Sequence, residues 1–114
     1  MTDIYHNPRC SKSRQTLALL EEKGITPTII DYLNSPPSAA TLRQVLKQLG
    51  LTPRELLRKG EVVYKELGLK DTAISDDDLI KAMTENPKLI ERPIVIHNGQ
   101  AKLGRPPEAV LTLF

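Results

Sequence analysis

The spacing of apolar and polar residues divides the chain into short strands and helices. Residues 3–6, DIYH, are predicted to form a strand, and a helical pattern follows that opens at Ser11 and ends at Gly24. Residues 26–33, TPTIIDYL, are typical of a second strand. The chain is therefore predicted to begin strand, helix, strand.

The middle third of the chain has helical spacing. Residues 38–50 place four apolar side chains on one stripe and end in a glycine, which is typical of a helix facing a core. Three shorter helices are predicted after it: one that opens with the capping box at Thr52, one or two turns in VVYKELGL, and one that runs from Ser75 to about Asn86-Pro87.

The last part of the chain carries the strongest local signal. Asn98-Gly99 lies between two extended runs and predicts a tight hairpin, which puts His97 opposite Gln100 and, further along both strands, Arg92 opposite Arg105. A final helix, EAVLTLF, is predicted after two prolines. The whole order predicts one α/β domain over residues 1–114, with a mixed sheet flanked by helices and a helical insert over about 38–90. It is similar to a thioredoxin-like core.

Composition argues against several classes of function and points to none in particular. The 114 residues carry a net charge of +2, too little for a strong field toward nucleic acid or a membrane. No run is long enough to span a bilayer and no signal peptide is recognisable, so we expect a cytoplasmic protein. One cysteine allows no internal disulfide, and one cysteine with two widely spaced histidines does not predict a metal site.

Cys10 is the main candidate for chemistry. It precedes the first helix, whose N-terminus favours negative charge, and Arg9, Lys12 and Arg14 are close in sequence. These features predict a thiolate that receives an anion, although a buried structural cysteine is the alternative. His6 ends the first strand and either tunes this thiol or is a bystander.

The predicted pairing of Arg92 with Arg105 is unusual, because like charges directly opposite each other destabilise a hairpin unless something offsets them. A bound oxyanion would do so, and the two side chains would then line the mouth of a pocket. The alternative is that the strands splay and both side chains reach water. Spacing alone does not assign a function to Arg58, since a cation near a helix C-terminus is commonly a dipole partner.

Several long segments in the same order resemble the glutaredoxin-coupled arsenate reductases, the ArsC family: IYHNPRCSKSR, PTIIDYLNSPPS, LLRKGEVVYKELGL and NPKLIERPIVIHNGQAKLGRPPEAVL. The resemblance implies that Cys10 is the nucleophile. It further implies an oxyanion site formed by three arginines, Arg58, Arg92 and Arg105. His6 and Ser13 match positions that assist the thiolate, and Pro93 matches a cis-proline that faces the cysteine.

The resemblance also implies an activity, the reduction of arsenate to arsenite with glutathione as co-substrate and glutaredoxin as reductant. We expect a monomer with no bound cofactor. CSKSR stands where members with an arsenic function often read CGTSR, which leaves the substrate open among arsenate, another oxyanion and a thiol disulfide. Two other functions remain open, a glutathione-dependent thiol transferase and a regulatory protein that binds RNA polymerase. Redox sensors of the latter kind carry a second cysteine where this chain has Ser13.

Overall fold

The structure, a computed structural model, describes residues 1–114. Its four strands and five α-helices follow the predicted order. The strands are β1 Thr2–Tyr5, β2 Thr28–Ile30, β3 Ile94–His97 and β4 Gln100–Leu103. The helices are α1 Ser11–Glu22, α2 Ala39–Leu49, α3 Pro53–Leu56, α4 Val62–Glu66 and α5 Asp76–Glu85. Two 3-10 helices cover Pro87–Leu89 and Pro107–Leu113.

The four strands form one mixed sheet in the order β2-β1-β3-β4, with β1 parallel to β2 and the other pairs antiparallel. The predicted hairpin is confirmed, since His97 pairs with Gln100 and Ile94 with Leu103. Asn98 and Gly99 both have positive φ, at 49° and 81°, as a tight hairpin turn of this kind requires. The α/β class is therefore confirmed, and α2 to α5 occupy the predicted place between β2 and the hairpin.

The chain divides into two compact units, residues 1–35 with 92–114 and residues 36–91. The first unit contains the sheet, α1 and the second 3-10 helix. Its core combines one buried residue from each of β1, α1, β3 and that 3-10 helix: Ile4, Leu20, Val95 and Val110. Burying side chains of this size stabilises a fold by about 1.5–3 kcal/mol each, so the core fixes α1 on one face of the sheet.

The second unit is helical, and its helices begin at predicted caps. Ser38 and Ser75 accept backbone N–H groups at the starts of α2 and α5, while Thr52 forms a complete capping box with Glu55 at the start of α3. Helices α2 and α3 both pack on α5. No helix in the structure combines the length and apolar character that crossing a membrane needs.

Two elements differ from the prediction. The segment after Pro106 forms a 3-10 helix over Pro107–Leu113 where an ordinary helix was predicted. Pro106 and Pro107 lack N–H donors, and the hydrogen bonds of the first and last turns join residues that are three positions apart. Strand β2 has only three residues, because a turn begins at Asp31, whose carbonyl accepts the N–H of Ser35 at 2.9 Å.

Candidate active site

The loop between β1 and α1 is shaped by Asn7, which is buried. Its side-chain oxygen accepts the backbone N–H of Arg9 at 3.0 Å, and its carbonyl accepts that of Cys10 at 3.0 Å. The guanidinium of Arg14 closes the other side of the loop by donating to the carbonyl of Pro8 at 2.8 Å. The loop therefore delivers Cys10 to the N-cap position of α1 in an extended conformation.

The Cys10 thiol is free and partly exposed, and several donors reach its sulfur. Partial burial alone would raise its pKa. Hydrogen bonds from the backbone N–H of Ser13, the side chain of Arg92 and the backbone N–H of Lys12 outweigh burial, so the pKa of Cys10 lies below its usual value. Nη2 of Arg105 lies 3.8 Å from the sulfur and adds a second guanidinium. The arrangement favours a thiolate.

The backbone N–H of Ser13 donates to the thiol, whereas the hydroxyl of Ser13 is hydrogen-bonded to His6 and Asn7. This side chain is fully buried, with Oγ 2.6 Å from Nδ1 of His6 and accepting the backbone N–H of Asn7 at 3.0 Å. Burial, with a smaller effect of Arg14, lowers the pKa of His6 and so favours the neutral imidazole. The hydroxyl of Ser13 can then donate to Nδ1, which ties β1 to the first turn of α1.

The end of the hairpin brings the two arginines together. Beyond the last strand pair, the N–H of Gly104 donates to the carbonyl of Pro93 at 2.9 Å. Nε of Arg105 donates to the carbonyl of Arg92 at 2.9 Å. The Arg92–Pro93 peptide bond is cis. The hydrogen bonds of Gly104 and Arg105 hold the two strands together at this proline-flanked end, and both arginines lie beside Cys10.

Arg58 belongs to the helical unit, where two carboxylates bind its guanidinium. Nη1 lies 2.5 Å from Oε1 of Glu91, and Nε lies 3.4 Å from Oε2 of Glu61. A backbone pairing of residues 56–58 with residues 89–91 holds the side chains of Arg58 and Glu91 side by side, through the N–H of Arg58 to Leu89 at 2.8 Å and that of Glu91 to Leu56 at 3.0 Å. Arg58 is therefore a member of an ion-paired cluster.

Sequence reasoning missed three residues of this arrangement. No role is predicted for Asn7 from the sequence, although an Asn-Pro pair before a helix predicts side-chain bonds to the following backbone. Glu91 binds Arg58 from 33 positions away, which no local pattern indicates. Gly104 lies in LGRPP, and nothing in that segment indicates how closely it is packed.

A partly exposed cysteine thiol at the start of the helix after β1, on a mixed sheet with a helical insert and an antiparallel hairpin, defines a thioredoxin-like thiol protein. The ArsC family model matches residues 5–113, and the chain belongs to the ArsC family.

Individual relatives are similar over almost the whole chain. The protein is 59% identical over 111 residues to the uncharacterized protein YfgD of Escherichia coli K12, a match that covers 96% of this chain and 93% of that one. It is 50% identical over 112 residues to an arsenate reductase of Haemophilus influenzae, with 97% of each chain covered. A solved arsenate reductase from Vibrio cholerae is 57% identical, with a TM-score of 0.97 over 99% of this chain and 97% of that one.

Proposed function

We propose that this protein is an arsenate reductase whose nucleophile is Cys10. The observation that carries the proposal is the juxtaposition of a sulfur of lowered pKa with the guanidinium groups of Arg92 and Arg105. A thiolate is the reactive form of cysteine, and paired guanidinium groups suit a tetrahedral oxyanion. The arsenate reductases among the relatives support the same substrate.

In the proposed reaction, the thiolate of Cys10 attacks the arsenic atom of arsenate. A sulfur–arsenic bond forms and one arsenate oxygen leaves as water after protonation. Arg92 and Arg105 neutralise the charge of the remaining oxygens, and the amides at the start of α1 favour the thiolate before attack. Arg58 is proposed as a third oxyanion ligand, as the resemblance implies, with its orientation set by Glu91 and Glu61.

Glutathione is proposed as the source of electrons. Its thiolate attacks the sulfur of Cys10, a disulfide forms, and the electron pair of the broken sulfur–arsenic bond reduces arsenic(V) to arsenic(III), which leaves as arsenite. Glutaredoxin then reduces the mixed disulfide by thiol–disulfide exchange. The chain has one cysteine, so this last step requires an external thiol.

The test is a steady-state assay of arsenate reduction with purified protein, glutathione and glutaredoxin. We expect the parent to turn over and Cys10→Ser to be inactive. Omission of glutaredoxin should stop the parent after one turnover and leave glutathione attached to Cys10, which intact-mass analysis detects. Turnover by Cys10→Ser would remove Cys10 as the nucleophile, and full turnover without glutaredoxin would remove the proposed reductant.

A glutathione-dependent thiol transferase is the second candidate. The observation that favours it is that Cys10 is partly exposed, with Arg9 and Lys12 exposed on either side in sequence, so that a peptide carboxylate could bind there. Competition separates the two functions. Arsenate should protect Cys10 from alkylation if the site binds oxyanions, whereas an S-alkylated glutathione and not arsenate should protect it if the site binds the peptide.

A further inference from the structure

Gly104 is buried at the point where the end of β4 meets α1 and Pro93. A Cβ atom at this position would lie 2.6 Å from Cγ of Pro93 and closer still to Oγ1 of Thr16. Gly104 does not have a positive φ, so its backbone conformation is open to any residue. Space, and not backbone conformation, therefore requires glycine here.

Neither neighbour can easily yield to a larger residue. Thr16 is fully buried on α1, and its hydroxyl donates to the carbonyl of Lys12 at 2.8 Å. Pro93 is also buried, and its ring has few alternative conformations. Protein interiors are packed as densely as organic crystals, so an added methyl group would have to displace the backbone that carries it.

The backbone at Gly104 also carries the arginine pair. The N–H of Gly104 donates to Pro93, and the next residue, Arg105, reaches both the carbonyl of Arg92 and the sulfur of Cys10. We propose that Gly104 is a positioning residue: the absence of a side chain lets the hairpin end lie against α1, and this close approach sets the distance from the two guanidinium groups to Cys10. The inference rests on the role proposed above for those arginines.

The position of the hairpin end should affect the reactivity of Cys10. Electrostatic attraction falls with distance, and the contact between Arg105 and the sulfur is already long at 3.8 Å. Moving the hairpin end outward would weaken the support of both guanidinium groups for the thiolate and would widen the proposed oxyanion site. Cys10 would keep the backbone donors of α1, which do not depend on Gly104.

The test compares Gly104→Ala with Gly60→Ala. Gly60 is a matched control, because it has open space around its Cα and no positive φ. The rate of Cys10 alkylation is measured across pH for both variants and the parent, with circular dichroism and thermal melting to verify folding. At a pH below the pKa of the thiol, we expect Gly104→Ala to react about fivefold more slowly than the parent and Gly60→Ala to match it. Parental rates in folded Gly104→Ala would overturn the proposal.

A second pair of variants keeps the test decisive if Gly104→Ala does not fold. Thr16→Ala/Gly104→Ala relieves the contact on the side of α1 and leaves the contact with Pro93. The double variant should react more slowly than Thr16→Ala alone, and equal rates would contradict a positioning role. Alkylation involves no arsenate, so it tests the role of Gly104 separately from the proposed function. If alkylation is slowed in the variants but the parent does not reduce arsenate, the role of Gly104 is supported and only the proposed function is contradicted.

Discussion

Nη2 of Arg105 lies 3.8 Å from the sulfur of Cys10, although the two residues are 95 positions apart in the chain. Two local structures produce this contact. The loop fixed by Asn7 places the thiol at the start of α1, and the hairpin turn at Asn98-Gly99 returns β4 to the same end of the sheet. The second guanidinium, from Arg92, donates to the same sulfur. A thiolate flanked by two cations is the state that this geometry favours.

Arg105 can be removed to measure its contribution. Arg105→Ala deletes the donor to the sulfur together with the bond from Nε to the carbonyl of Arg92. We expect Cys10 alkylation to slow about three- to tenfold at a pH below the pKa of the thiol, and the affinity for an oxyanion to fall about 10- to 100-fold through loss of a charged hydrogen bond. Arg105→Lys should restore only part of the alkylation rate and part of the oxyanion affinity, because an ammonium does not offer the planar pair of donors.

The control for Arg105 is Arg43→Gln, which removes one positive charge from an exposed pair in the helical unit. It should leave alkylation and oxyanion protection of Cys10 at the parental level. Equal slowing in both variants would mean that net charge, and not the local guanidinium, lowers the pKa of Cys10.

The arginine pair could be predicted because its cause is local. An Asn-Gly turn fixes the register of a hairpin, and counting along the strands is then enough to put Arg92 opposite Arg105. The same holds for the helix caps at Ser38, Thr52 and Ser75, each of which depends on residues no more than three positions away.

The features that could not be predicted from the sequence depend on contacts between distant segments. The packing of Gly104 against Thr16 exists only once the hairpin lies on α1, and the pairing of Arg58 with Glu91 exists only once residues 56–58 and 89–91 pair. The hydroxyl of Ser13 illustrates the same limit. Its residue type predicts a donor near the thiol, but the fold turns the hydroxyl to His6 and leaves the backbone N–H to reach the sulfur.

Removal of the Ser13 hydroxyl should therefore affect stability more than reactivity. Ser13→Ala leaves the buried N–H of Asn7 and the Nδ1 of His6 without this partner, and unsatisfied buried groups cost about 1–3 kcal/mol. Urea unfolding measures the loss. Ser11→Ala makes the same change at an exposed position of α1 and should stay within about 0.5 kcal/mol of the parent. A stable Ser13→Ala with a large loss of Cys10 reactivity would instead place the hydroxyl on the sulfur.

The ion pair of Arg58 with Glu91 should stabilise the helical unit more than the pair of Arg43 with Asp77. The side chains of the first pair are 21% and 23% exposed, and those of the second are 51% and 80% exposed. Glu91→Gln is expected to lower the free energy of unfolding by about 1.5–3 kcal/mol, as for hydrogen bonds to charged groups. Arg43→Gln should change it by at most about 1 kcal/mol. Equal losses in urea unfolding would contradict the difference in burial.

His6 should make the stability of the protein depend on pH. Burial and, to a smaller extent, Arg14 lower the pKa of its imidazole, so below the usual value of 6.5 the unfolded chain takes up a proton that the folded chain resists. The free energy of unfolding should therefore be undiminished above about pH 6.5 and should fall as the pH decreases toward the lower folded pKa.

The slope can be assigned to His6 by substitution. His6→Asn should flatten the change in unfolding free energy between about pH 7 and 5.5, a window chosen because most carboxylates titrate below it. The control is His97→Asn, which also removes an imidazole ring. His97 lies at the end of β3 away from His6, where it contacts Thr2 and Phe114. If the parent and His6→Asn lose stability equally across this window, a neutral buried imidazole bonded to Ser13 is not the state of His6, and the tie between β1 and α1 must rest on other contacts.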